Sequence, residues 1–157
     1  GIDRLSTVIN ETLKQGLEIE WRVIGKSVIV EDAPPLSPEI ISLIEPPIIA
    51  YEGLSDVYAW ADVFVLLSSF EGLPLTILEA MRSGVVVLAT DVGAVSEVLR
   101  NDVNGVLLNL NTAVPECVSA LSNLAQDRSR LQRLSAQAFN EMRERDWVAA
   151  TLHLSSA

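Results

Sequence analysis

Val63-Phe64-Val65-Leu66-Leu67-Ser68-Ser69-Phe70-Glu71-Gly72-Leu73-Pro74-Leu75-Thr76-Ile77-Leu78-Glu79-Ala80-Met81-Arg82-Ser83-Gly84 is the stretch that decides the fold. Its first five residues are apolar and rich in β-branched and aromatic side chains, so they read as a short buried strand. A turn, Glu71-Gly72-Leu73-Pro74, follows. Pro74, Ile77, Leu78 and Met81 then fall at i, i+3, i+4 and i+7, the period of one helix face. Pro74 suits the first helical position and Gly84 the C-terminal stop. The stretch is a strand, a tight loop and a helix whose N-terminus points at the loop.

The same alternation runs outward in both directions. Downstream, residues 85–90 form an all-apolar strand. The loop Asp91-Val92-Gly93-Ala94, a short helix over 95–99 and a turn at Asn104-Gly105 into a strand over 106–108 come next. The remainder is helical: residues 115–125, a second helix capped by Asp127 with Leu131, Leu134, Ala138 and Met142 inward, and a third capped by Asp146 with Trp147, Ala150 and Leu154. Upstream, Ile2, Leu5, Ile9 and Leu13 mark a helix stopped by Gly16, and residues 18–25 a strand. A proline-rich loop over 32–38 leads to a short helix with Ser37 as cap and Pro38 first, running through Ile44. Residues 48–51 read as a strand, Glu52-Gly53-Leu54-Ser55 as a turn and 55–60 as a helix.

Strands apolar on both faces imply a parallel sheet with helices on both sides, so the expected class is α/β, a doubly wound Rossmann-like fold. Ligands in such sheets lie beyond the carboxyl ends of the strands. The loops that begin at Gly25, Tyr51, Ser68 and Asp91 gather there.

Bulk properties narrow the function. The 157 residues suit one domain, residues 1–157, and 49% of them are hydrophobic, which excludes disorder. A net charge of −10, from 21 acidic and 11 basic residues, argues against nucleic acid and against a basic membrane face. No apolar run reaches the roughly 18 residues that span a bilayer, and no signal-peptide pattern opens the chain. Cys117 is the only cysteine, so no internal disulfide or thiolate metal cluster forms, and the expected setting is cytoplasmic. His153, the only histidine, has no nucleophile motif to serve. Gly25-Lys26-Ser27 is not a phosphate loop, because Glu20 stands where its first glycine is needed.

The chemistry sits in the central stretch. A helix N-terminus offers unpaired N–H groups and about half a positive charge, enough to hold a phosphate. Glu71 and Glu79 flank it, eight residues apart, about 12 Å if that spacing is helical. Ionised carboxylates only accept hydrogen bonds, and sugar hydroxyls donate them. A phosphate-binding helix start between two such carboxylates suits a nucleotide sugar.

The run from Glu71 to Gly84 resembles the E-x7-E motif of group 1 glycosyltransferases, which have the GT-B fold. The resemblance continues through residues 87–98 and Asn104-Gly105-Val106-Leu107 to Asp146-Trp147, and upstream Gly1-Ile2-Asp3-Arg4-Leu5 resembles the first helix of the family's C-terminal domain. It implies that this is the donor-binding half of an enzyme that moves a sugar from a nucleoside diphosphate to an acceptor hydroxyl with retention. Glu71 would be the catalytic-site carboxylate beside the transferred sugar, and Glu79 would bind the ribose hydroxyls. Gly72 would let the ligand approach the backbone. Leu73, Leu75 and Thr76 would donate amides to the diphosphate, because Pro74 has no N–H where many members have glycine. Tyr51, Gly53 and Leu54 fall where the nucleobase packs. Asp91, Gly93 and Glu97 lie in the family's glycine-pair loop, with Ala94 in place of the second glycine.

No D-x-D is present, so no metal is expected and the nucleotide sugar is a substrate, not a cofactor. By this resemblance the first strand of the family domain and its basic loop are missing, which predicts weakened donor affinity. The N-terminal acceptor domain is missing too, so the fragment alone should be inactive, and any peripheral membrane attachment falls to that absent domain. The unpaired sheet edge would suit a homodimer. Two alternatives share the features: a non-catalytic α/β interaction or regulatory module, and the donor half of a GT-B sugar-nucleotide epimerase.

Overall fold

The strand Val86–Thr90 is buried at every position, and the rest of the molecule is arranged around it. The structure is a computed structural model that describes residues 1–25, 36, 38–46 and 51–145, with the side chains of all but Glu39, Tyr51 and Glu52. In chain order the elements are α1 (Ile2–Lys14), β1 (Val23–Ile24), α2 (Pro38–Leu43), β2 (Ile44–Glu45), α3 (Tyr51–Trp60), β3 (Val63–Leu66), α4 (Leu75–Arg82), β4 (Val86–Thr90), a 3₁₀ turn (Val95–Glu97), β5 (Val106–Leu108), α5 (Ala113–Gln126) and α6 (Arg128–Glu144).

The described strands form two parallel sheets, β1-β2 and β3-β4-β5. Val65 pairs with Leu88, and Leu88 with Val106, so β4 is central. Alternate side chains of β4 point to opposite faces. Val86 and Leu88 meet Val8 of α1, Leu121 and Leu124 of α5 and Leu131 of α6. Val87 and Ala89 meet Ile77, Ala80 and Met81 of α4 and Ala138 and Met142 of α6. Helices therefore cover both faces, the α/β Rossmann-like architecture expected from the apolar strands. Among the described strands β3 pairs only with β4, and its four apolar residues are all only half-buried.

Several local expectations are corrected. The buried face of α1 carries Leu5, Val8, Ile9 and Thr12, while Ile2 and Leu13 are exposed. These four also fit i, i+3, i+4, i+7, and Thr12 is tolerated there because its hydroxyl donates to the Ile9 carbonyl at 2.8 Å. β1 is two residues long rather than eight, because only Val23 and Ile24 find parallel partners, and Ile44 belongs to β2 instead of ending α2. The expected turn over residues 52–55 is helical: α3 begins at Tyr51. Leu54, Val57, Tyr58 and Ala61 continue one apolar face backward, which offsets the roughly 1 kcal/mol that Gly53 costs inside a helix. α5 begins at Ala113, which puts Pro115 third, where its missing N–H leaves no bond unmade. The helix expected over 95–99 is the 3₁₀ turn.

Other expectations hold. Gly16 and Gly84 adopt positive φ just past α1 and α4, and the Asp127 carboxylate accepts from the Arg130 amide at 2.9 Å to cap α6. Lys26, most of the proline-rich loop, the Ser37 cap, the strand at Ile48-Ile49-Ala50 and the terminal helix with Asp146, Trp147, His153 and Leu154 lie outside the described residues.

Candidate functional site

The carboxyl ends of β3 and β4 meet in a web of short hydrogen bonds centred on Glu71. The Ser68 hydroxyl donates to Glu71 Oε1 at 2.5 Å. Ser68 is itself held, because the buried Thr90 hydroxyl at the end of β4 donates to its carbonyl at 2.6 Å. The Glu71 carboxylate is thereby referred back to the central strand through two side chains.

The loop after β4 clamps the same turn from the other side. Ala94 N–H donates to the Gly72 carbonyl at 3.1 Å. Gly93 has φ +57°, and a Cβ there would stand 1.9 Å from the Glu71 carbonyl oxygen. Only glycine lets these two loops come together. Gly72 is different: a Cβ on it would meet nothing within 4 Å, and its φ is not positive. Neither packing nor backbone geometry demands a glycine at Gly72.

The third side of the site comes from the start of α1. Arg4 donates through Nη1 to the Leu67 carbonyl at 3.2 Å and to the Ser69 hydroxyl at 2.8 Å. Gly1 packs beside the same carbonyl, with a Cβ there lying 2.9 Å from it.

Beyond the turn, Pro74 is extended (φ −71°, ψ 117°) and takes the cap position, so α4 begins one residue later than expected, at Leu75. No side chain caps this helix, and no acidic residue occupies its first turn. Its opening amides, Leu75 and Thr76 among them, belong to the turn that an α-helix leaves unpaired. Because Glu71 lies before the helix, the helical-rise distance to Glu79 holds only from Leu75 onward, a correction to the 12 Å spacing. Phe70, Leu73 and Leu75 are 86%, 41% and 65% exposed, so the rim of the site is apolar.

Glu79 sits half-buried in the middle of α4. Tyr58 of α3 donates its hydroxyl to Glu79 Oε2 at 3.1 Å, with the Thr76 carbonyl 3.4 Å away. Burial, and then this hydrogen bond to a negative group, raise the Tyr58 hydroxyl above its ordinary pKa of 10. Gly53 and Leu54 lie in the first turns of α3, Leu54 one turn before Tyr58 on the same face. Tyr51 opens that helix, and its side chain is outside the described set. Asp91 and Glu97 are exposed on the loop after β4 and on the 3₁₀ turn. No cluster of three His, Cys, Asp or Glu side chains suits a metal among the described residues.

Glu71, Gly72, Leu73, Leu75, Thr76 and Glu79 thus share one strand–turn–helix unit. Ser68, Thr90, Arg4 and Tyr58, which support it, were not legible as site residues. A serine after a strand, a threonine ending one, and an arginine or tyrosine on a helix carry no local signal of contacts made across the fold.

A family model for the group 1 glycosyl transferases matches residues 1–127. The chain belongs to that family. It is 39% identical over 101 residues to a sulfoquinovosyl transferase of Arabidopsis thaliana, an alignment covering 62% of this chain and 20% of that protein. The chain therefore spans about a fifth of this relative. Among solved structures it matches the C-terminal domain of a group 1 family glycosyl transferase from Francisella tularensis with a TM-score of 0.72 at 20% identity, over 94% of this chain and 79% of that one. A pneumococcal O-GlcNAc transferase, solved in complex with UDP and GlcNAc, matches with a TM-score of 0.71 at 25% identity, over 91% of this chain and 29% of that one. No described helix of this family member is long and apolar enough to cross a membrane.

Proposed function

We propose that this chain is the nucleotide-sugar-binding domain of a retaining GT-B glycosyltransferase, which moves a sugar from a nucleoside diphosphate to an acceptor hydroxyl. The observation that carries this reading is the β3–α4 unit: a carboxylate held by Ser68, an uncapped helix start and a second carboxylate, Glu79, one turn into that helix. The UDP and GlcNAc complex of the pneumococcal relative supports it.

In this reading the amides of Leu73, Leu75 and Thr76 and the positive end of α4 hold the diphosphate. The same donors stabilise the charge that grows on the leaving diphosphate as the glycosidic bond breaks. Glu71 accepts from hydroxyls of the transferred sugar and orients it. Glu79 accepts from the ribose. Gly72, open to solvent, leaves room for the ligand against the backbone. No metal is required in this reading, because the amides and positive end of α4 offset the phosphate charge. The acceptor and the rest of the catalytic apparatus belong to another domain, so the isolated chain binds donor and does not turn over.

The test is calorimetric titration with UDP, GDP and ADP, then with their sugars, on this chain and on Glu79→Ala, repeated on the full-length protein. Selective binding of one nucleotide, lost in Glu79→Ala, is expected. A full-length protein that binds none of them would refute the reading.

A further inference from the structure

Glu79 is a half-buried carboxylate without a cationic partner among the described residues: the ion pairs there involve Asp3, Glu11, Glu45, Glu141, Asp62 and Asp102 instead. What touches it is the Tyr58 hydroxyl, 3.1 Å from Oε2. We propose that Tyr58 is a positioning residue of the donor site, fixing the Glu79 carboxylate so that its other oxygen faces the hydroxyls of the ligand. This rests on the donor-binding reading of Glu79.

The geometry favours a directed contact. Tyr58 is anchored by packing: it is partly buried against the apolar cluster that includes Ile77, Ala80 and Met81 of α4. The hydroxyl therefore arrives at Glu79 on a rigid stem from a different helix. A phenol has one proton to give. Glu79 Oε2, nearer and charged, outcompetes the Thr76 carbonyl at 3.4 Å. Donation to Oε2 fixes the rotation of the carboxylate about its last bond, which in a free glutamate is broad. Oε1 is then set toward a ligand before the ligand arrives, and the entropy of ordering that side chain is not charged to binding.

A merely structural tyrosine would give the same picture of packing, so the test must read the carboxylate. Affinities of the full-length protein for UDP and for 2′,3′-dideoxy-UDP would be measured for wild type, Tyr58→Phe, Glu79→Gln and the double variant. The matching GDP or ADP pair replaces these if that base binds tighter. Tyr58→Phe should weaken the ribonucleotide about tenfold and leave the dideoxy analogue unchanged. In the Glu79→Gln background it should add nothing.

Equal weakening of both nucleotides by Tyr58→Phe, or no weakening while Glu79→Gln loses affinity, overturns the positioning role alone. Unchanged affinity in Glu79→Gln overturns the donor reading of Glu79 and the proposal with it. A second measurement needs no ligand. The chain has two tyrosines, so in a Tyr51→Phe background the tyrosinate absorbance reports Tyr58 only. Glu79→Gln should move its ionisation to lower pH, and an unmoved midpoint overturns the contact.

Discussion

Replacing Gly93 by alanine should damage the site more than any other single added methyl group. The backbone there has φ +57°, a conformation that costs an L-residue with a Cβ about 1–2 kcal/mol. The new Cβ would stand 1.9 Å from the Glu71 carbonyl oxygen, 2.8 Å from its carbon and 3.0 Å from the Gly72 oxygen. Ordinary contact begins near 3.4 Å, so the two loops must part by about 1.5 Å, the difference between 3.4 and 1.9 Å. The atoms in the way are backbone, which cannot swing aside as a side chain would. Overpacking of this kind costs about 1–3 kcal/mol. With the φ term the loss is about 2–5 kcal/mol, out of a total stability of about 5–15 kcal/mol.

Two other glycines calibrate the assay, urea unfolding followed by circular dichroism. Gly84→Ala shares the strained backbone, φ +74°, but its Cβ would lie 3.4 Å from the Ser135 hydroxyl and nothing nearer. It should lose only the φ term, about 1–2 kcal/mol. Gly72→Ala has neither strain nor clash and should unfold like wild type. The expected order of midpoints is therefore Gly72→Ala, then Gly84→Ala, then Gly93→Ala lowest. Parting the loops also pulls on the Ala94–Gly72 bond and on Glu71, so donor affinity should fall in Gly93→Ala and not in Gly84→Ala. A Gly93→Ala protein that unfolds with Gly84→Ala would refute the steric argument.

Three further outcomes are expected. Asn104 is fully buried and joins the Arg100 amide, the Val98 carbonyl and Glu141 of α6, so Asn104→Ala should cost about 2–4 kcal/mol in the same assay by leaving those groups unpaired. Acid should destabilise the chain. The Arg130 side chain, and then Arg133, hold Asp102 below its ordinary 3.8, and at Glu141 the push of burial is outweighed by hydrogen bonds from Gln137, Asn104 and Arg100, which hold it below 4.5. Folded values below unfolded ones mean stability that is present above those ordinary values and drains as pH falls through the folded ones, so thermal midpoints should drop below about pH 4.5 and drop less in Asp102→Asn. Cys117 is buried, and burial alone pushes its thiol up to about 12, so a thiol reagent at pH 8 should modify it only after unfolding.

The sequence-level reading succeeded where the signal was local and repeated. Val63 to Leu66 and Val86 to Ala89 are continuous apolar runs, the mark of strands covered on both faces, and α4 is apolar at helical spacing, with Ile77 and Met81 of that face buried. Glycine and aspartate stops worked for the same reason: Gly84 and Asp127 answer a need created by the residues next to them. The reading was weakest before β3. β1 and β2 are two residues each, too short to impose a period on the chain, and at the start of α3 a glycine resembled a turn until the face of Leu54 and Tyr58 outweighed it.

The site divides along the same line. Both glutamates were visible because spacing and charge sit in one stretch, but of their anchors only Ser68 lies in it, and Thr90 and Tyr58 come from elsewhere in the chain. Ser68 is three residues from Glu71, Thr90 is 22 residues from Ser68, and Tyr58 is 21 from Glu79. The two anchors also differ in kind. Glu71 is tied through Ser68 to Thr90 of β4, the most buried strand. Glu79 is tied to α3, a helix that carries its own exposed edge at Trp60 and meets α4 through Tyr58. Under the donor-binding proposal, the sugar end of the site is therefore anchored to the central sheet and the nucleoside end to α3.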